Sequence, residues 1–186
     1  MEIEKDSFLE SLTEDDGKLL MDIALNALKK HFGLEYKFPA IPEKFKTNAG
    51  VFVTINEEKN LRGCIGYIFS IKPLAEAVKE MAVAAATEDP RFRPVTLSEF
   101  NKIEIEITVL GKLQRINYTD IDKIDLGVHG IYVKNGFYSG VLLPQVAIEY
   151  GFNKQQFLEE TCRKAGMKRD CYLTSEIYIF EGRVFK

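Results

Sequence analysis

The chain of 186 residues has no tryptophan, two histidines and three cysteines, and none of its apolar runs approaches the roughly 18 residues needed to span a bilayer. Each scarcity excludes something. The two histidines lie far apart, and there is no His-x-x-x-His or Cys-x-x-Cys pair, so no dedicated metal site is expected. The cysteines, at 64, 162 and 171, are odd in number and follow no secretion signal. They read as reduced thiols of a cytoplasmic protein, with the isolated C-x8-C spacing of Cys162 and Cys171 leaving a pairing open. The start, Met1-Glu2-Ile3-Glu4-Lys5-Asp6, is acidic and lacks the positive and apolar stretches of a signal peptide. Positive charge is not in excess either: 25 Lys and Arg stand against 28 Asp and Glu, scattered among one another. A net charge of −3 argues against a broad nucleic-acid footprint, which needs a basic face. A phosphate-cradling Gly-rich loop and a nucleophile elbow are also missing.

What is present suits one domain spanning 1–186, or two small subdomains that share a core. A chain of this size is expected to bury about 70% of its unfolded surface, enough for stability without disulfides or metal. A helix is predicted from about Glu14 to Phe32, opened by Thr13 and Asp16 as a capping-box-like pair and stopped by Gly33. A hairpin follows, Ala49–Ile55 with Leu61–Phe69. An alanine-rich helix from Pro73 to about Thr87 ends at the prolines of Asp89-Pro90-Arg91-Phe92-Arg93-Pro94. Residues 102–110 alternate as a strand with one buried face, and 112–127 read as a polar connection. A second hairpin, Ile131–Val133 with Phe137–Leu142, turns at Asn135-Gly136. Short helices at Pro144–Tyr150 and from Asn153 to about Ala165, and a last strand Glu176–Phe185, complete the chain. Helices and strands do not alternate regularly. The expected class is therefore α+β, with mostly antiparallel sheet flanked by helices.

The segment Leu61-Arg62-Gly63-Cys64-Ile65-Gly66 carries the most chemistry. Period-2 alternation puts Arg62, Cys64 and Gly66 on one strand face and Leu61, Gly63, Ile65 and Tyr67 on the other. Gly63 then offers a bare surface to the alanine-rich helix, while Gly66 leaves an empty place where a ligand reaches the backbone or the sulfur. Arg62, about 7 Å along the strand, favours a thiolate or binds an anion. The competing reading is a buried cysteine among packing glycines.

His129, in Gly127-Val128-His129-Gly130, is the candidate base for a Cys64–His129 catalytic pair, or else a ring that hydrogen-bonds backbone at a strand start. Asp89 and Arg91 are candidate ligand-binding groups on a rigid loop, or local ion pairs at a helix stop. Gln145, in Leu143-Pro144-Gln145-Val146-Ala147, reads chiefly as part of a helix entry. His31 reads as a partner for the carbonyls at a helix end.

Four ordered blocks carry a resemblance. LRGCIG at 61–66, D-x-R-F-x-P at 89–94, GVHGI at 127–131 and LPQVAIE at 143–149 together resemble the AMMECR family over residues 15 to 185. Phe152 departs from the tryptophan that many members carry after the LPQVA helix. The resemblance implies an α+β fold of two subdomains with a cleft lined in part by LRGCIG. It names no cofactor and no settled reaction. Its prokaryotic members look like partners of Memo-type and radical-SAM-type proteins, which implies a modification pathway. Two functions are carried forward. One is a ligand-binding or catalytic cleft with a cysteine-dependent step on a small molecule or modified residue. The other is a non-catalytic adaptor that binds a partner protein or peptide.

Overall fold

The computed structural model describes residues 5–186, so Met1–Glu4 of the acidic start lie outside the described residues. The chain forms two compact units. Of the described residues, one unit holds Phe8–Leu110 with Arg183–Lys186, and the other holds Gly111–Gly182 with residues 5–7.

The first unit opens with a short helix α1 (Ser7–Ser11), which the sequence pattern did not predict and whose first residue, Ser7, falls in the other unit, and with the long α2 (Glu14–His31). The Thr13–Asp16 capping box closes in both directions: the Thr13 hydroxyl accepts from the Asp16 N–H, and the Asp16 carboxylate accepts from the Thr13 N–H at 2.7 Å. Lys44 completes that corner at 2.7 Å. Strands β1 (Gly50–Glu57) and β2 (Asn60–Tyr67) form the expected hairpin, turning through Glu58 and Lys59 at φ of 50° and 66°. Helix α3 (Leu74–Thr87) and β3 (Ile103–Leu110) follow, and β1 pairs antiparallel with β2 on one side and β3 on the other.

Alternation then divides this sheet. Val51, Val53, Ile55, Ile107 and Val109 are fully buried in one core with Leu20, Ile23, Leu28, Leu74 and Val78 of α2 and α3. The opposite face carries Phe52, Thr54, Asn56, Arg62, Cys64, Gly66, Glu106 and Thr108.

The second unit holds β4 (Gln114–Ile116), a 3-10 segment Tyr118–Lys123, and the hairpin β5 (His129–Asn135) with β6 (Tyr138–Leu142). Helices α4 (Pro144–Glu149) and α5 (Lys154–Lys164) lead to β7 (Glu176–Phe185), whose last residues, Arg183–Phe185, belong to the first unit. β7 pairs antiparallel with β5 and β4. The stretch 112–127, expected as a polar connection, therefore contains a strand. Ile116 and Ile124 are buried in it, and Ile121 and Leu126 pack partly buried against the same core.

Phe157, Leu158 and Cys162 of α5 pack with Ile131, Val133, Ile177 and Ile179 into a second core. Here the expectation of three reduced thiols is corrected: Cys162 and Cys171 form a disulfide, with Cα atoms 5.8 Å apart. The turn Ala165–Gly166 after α5 brings Cys171 back beside the helix it has just left, a proximity that the spacing alone did not fix. The architecture is α+β, antiparallel strands flanked by helices. Among the described residues no helix is long and apolar enough to cross a membrane.

Candidate functional site

Cys64 lies opposite Thr54 on β1. Its N–H points away from β1 and donates to Asp89 Oδ2 at 2.9 Å, which makes Thr54 and Cys64 a pair without mutual backbone bonds. In such pairs the side chains approach more closely. The Thr54 hydroxyl accordingly donates to Cys64 Sγ at 3.3 Å. The thiol is half-buried and stands outside the disulfide.

The two glycines beside it have different purposes. A Cβ on Gly63 would lie 2.0 Å from the Ala85 carbonyl oxygen, so this glycine lets α3 press on the strand, as the alternation predicted. The empty place expected at Gly66 is not there. A Cβ on Gly66 would lie 2.4 Å from Phe52 Cγ, so the half-buried Phe52 ring lies over the glycine and forms an aromatic floor two residues along the strand from Cys64.

Arg62 and Arg91 were the two candidate anion holders. The Arg62 side chain is 15% exposed, and every nitrogen of its guanidinium is engaged. Nε donates to Glu99 Oε1 at 2.9 Å, one terminal nitrogen donates to the Arg93 carbonyl at 2.6 Å, and the other reaches the Pro94 carbonyl at 3.2 Å. It clamps the loop after α3 to the edge strand. Glu99 also accepts from the Thr96 N–H and hydroxyl, and the Arg62 bond followed by these holds its carboxyl down at about 2.

Asp89 is the hub of the same loop. Its side chain is 2% exposed. Oδ1 accepts from the N–H and Nε of Arg91 at 3.1 and 2.9 Å, and Oδ2 accepts from an Arg91 terminal nitrogen at 2.7 Å as well as from Cys64. The Arg91 bonds foremost, then the backbone N–H groups of Cys64 and Arg91, pull its carboxyl down to about 2 against the cost of burial. Asp89 thus covers an exposed edge N–H of β2 and anchors a guanidinium beside the cysteine. Arg91 remains 50% exposed. Thr54, Phe52 and Glu99 were not singled out from sequence. Period-2 patterning places the first two on a face, but only the strand register places them beside Cys64 and Gly66.

In the second unit, His129 is buried at the start of β5. Its Nδ1 accepts from the Asp125 N–H at 2.9 Å, and its own N–H donates back to the Asp125 carbonyl at 2.8 Å. Gly127, at φ 86°, makes the turn between them. With Nδ1 accepting, the neutral ring carries its proton on Nε2 and presents a donor there. Burial pushes its pKa down, opposed by the charges of Asp125 and Glu181. Gly130 makes room for Phe180: a Cβ there would meet the ring at 2.3 Å. Gln145 is half-buried in the first turn of α4, and His31 is exposed at the end of α2. Among the described residues no cluster of His, Cys, Asp and Glu is arranged to hold a metal.

The family model described as AMMECR1 matches residues 21–185. A protein of Methanothermobacter thermautotrophicus is 40% identical, covering 94% of this chain and 95% of its own length. One from Sulfolobus acidocaldarius is 42% identical and covers all of this chain and 88% of its own. The crystal structure of an uncharacterized protein from Pyrococcus horikoshii, 36% identical, superposes with a TM-score of 0.84 and covers 97% of this chain and 91% of that one.

Proposed function

The chain belongs to the AMMECR1 family, and from that premise we propose that the sheet face bearing Cys64 binds a ligand. On it the thiol supports a cysteine-dependent step on a small molecule or a modified residue. One observation carries this reading: the half-buried sulfur is oriented by Thr54, while its backbone is fixed by the same carboxylate oxygen that anchors Arg91. A cysteine serving only as apolar filling needs neither. In this reading Cys64 is the nucleophile or ligand contact, Asp89 the positioning residue, Arg62 the clamp on the loop, and Gly63 and Gly66 the packing points of the strand. The work is cytoplasmic, and neither nucleic acid nor a membrane takes part.

A thermal-shift panel of small metabolites tests it. Compounds that stabilise the parent should lose their effect once Cys64 is alkylated or replaced in Cys64→Ala. If no compound behaves so, the ligand-binding reading fails.

The second reading, an adaptor for a partner protein or peptide such as the Memo-type or radical-SAM-type proteins, has its own support. Val128, Ile148 and Tyr150 of the second unit are 46%, 63% and 70% exposed, and the Ile148 side chain lies 3.0 Å from where a Gly127 Cβ would stand. Exposed apolar clusters are common at protein contacts. Unchanged partner capture by an Ile148→Asp, Tyr150→Asp variant would remove that support.

A further inference from the structure

Arg91 differs from Arg62, the other candidate anion holder, in what it leaves unused. A guanidinium carries five N–H donors in a planar fork. Asp89 takes two of them, from Nε and one terminal nitrogen, in a bidentate pair along one edge. Among the described residues no hydrogen bond takes the other three, and two of these, one from each terminal nitrogen, form the end-on fork of the half-exposed side chain. Its remaining contact is with its own neighbour, the Phe92 ring, 5.4 Å away. An end-on fork of this kind matches a second planar carboxylate as Asp89 matches the first.

The fork is also tied to the cysteine. Asp89 Oδ2 accepts from the Arg91 terminal nitrogen at 2.7 Å and from the Cys64 N–H at 2.9 Å. Two donors converging on one atom are neighbours, and the bonds of Asp89 hold Arg91 protonated.

A second polar group on this face lacks a partner. Thr108 is fully buried, and its hydroxyl makes no hydrogen bond among the described residues. It shares the cross-strand row Gly66–Phe52–Thr108, next to the row Cys64–Thr54–Glu106. Buried hydroxyls are ordinarily satisfied, so an unsatisfied one on the face of a candidate site calls for a reason.

We infer that the ligand of this face carries a carboxylate, received end-on by Arg91, with its less polar part lying along Phe52 toward the Cys64 sulfur. The inference rests on the reading of Cys64 as a reachable thiol and adds the chemical class of what reaches it. Arg91 is then the specificity determinant and Asp89 its positioning residue.

Two alkylating reagents of similar size separate the two ideas. In both, the thiolate attacks the methylene carbon, the S–C bond forms and iodide leaves; iodoacetate brings a carboxylate and iodoacetamide a neutral amide. The rate ratio of iodoacetate to iodoacetamide at Cys64, normalised to that of N-acetylcysteine, should be raised about five- to tenfold by a guanidinium that receives the reagent's carboxylate. Arg91→Gln should return it to that of the model thiol, and Arg91→Lys should keep part of it. Sodium propionate should slow iodoacetamide labelling of the parent but not of Arg91→Gln, with sodium chloride at equal ionic strength as the control. A parent ratio equal to the model thiol's overturns the carboxylate inference alone. Failure of both reagents to label native Cys64 overturns it together with the reading beneath it.

Discussion

The two glycine-flanked segments, 61–66 and 127–131, look alike as sequence and differ as structure. Each sets a reactive side chain in a strand between glycines. Around His129 the ring is buried and tied to its own turn: Nδ1 and the backbone N–H both bond to Asp125, and Phe180 fills the space beside Gly130. Around Cys64 the backbone is held as firmly, by Asp89 and by the Gly63 contact with α3, but the side chain stays half-buried beside a half-exposed guanidinium. Glycine flanks therefore mark close packing in both segments. What distinguishes the candidate site is exposure: the imidazole is buried, whereas the thiol is half-buried beside a half-exposed guanidinium.

Substituting the glycines should break the comparison most severely. Gly63→Ala drives a methyl into the Ala85 backbone carbonyl at 2.0 Å, where neither partner turns aside, and should cost about 3 kcal/mol or more. Gly130→Ala meets the tip of the buried Phe180 ring at 2.3 Å and the Leu142 carbonyl oxygen at 2.9 Å, a milder backbone overlap than at Gly63, and should cost about 2 kcal/mol. Urea denaturation of both variants gives the order; a reversal would refute the packing account of Gly63.

Acid titration comes next. Asp89 has its carboxyl lowered from 3.8 to about 2 in the fold and its side chain is 2% exposed. Its ionised form is the one the fold prefers, so its contribution is full above about pH 4 and is lost as the pH falls toward 2. That amounts to about 2 kcal/mol, from the shift alone. Asp89→Asn should flatten the stability curve in that window, and a curve parallel to the parent's would show that Asp89 is not ionised in the folded protein.

His129 has the opposite chemistry with a similar slope. Its folded pKa is lowered, so the fold prefers the neutral ring. Its contribution is complete above about pH 6.5 and is lost as the pH falls below that. His129→Gln should remove that slope, cost about 1 kcal/mol through the bond to Asp125, and leave the alkylation rate of Cys64 unchanged. A rate that falls with His129→Gln would instead support the catalytic pair.

Much of the fold was legible because it depends on local signals. The Thr13–Asp16 box, the strands over 103–110 and 176–185, the Asn135-Gly136 turn and the role of Gly63 all follow from residue type and period, but the wet face expected of 102–110 does not hold, because Thr108 is as buried as Ile107 and Val109. The site was legible only in outline. A two-residue turn at Glu58-Lys59 pairs Glu57 with Asn60, and continuing that register would set Thr54 against Gly63. A shift between Ile55 and Asn56 sets it against Cys64 instead, and nothing in the residue types announces that bulge. The occupation of Gly66 by Phe52 follows from the same register. The difference between Arg62 and Arg91 depends on a loop whose acceptors, Glu99 and the carbonyls of Arg93 and Pro94, are up to 37 residues from Arg62 in sequence. The disulfide lay beyond the spacing signal, because the turn after α5 decides where Cys171 returns.

The central claim is that Cys64 is a positioned, reachable thiol rather than core filling. Peptide-resolved labelling of the native protein with neutral iodoacetamide at pH 7 tests it most directly. Cys64 is expected to be alkylated faster than a free model thiol, and Asp89→Asn to slow it. Alkylation only at the rate of global unfolding, indifferent to Asp89, would contradict it.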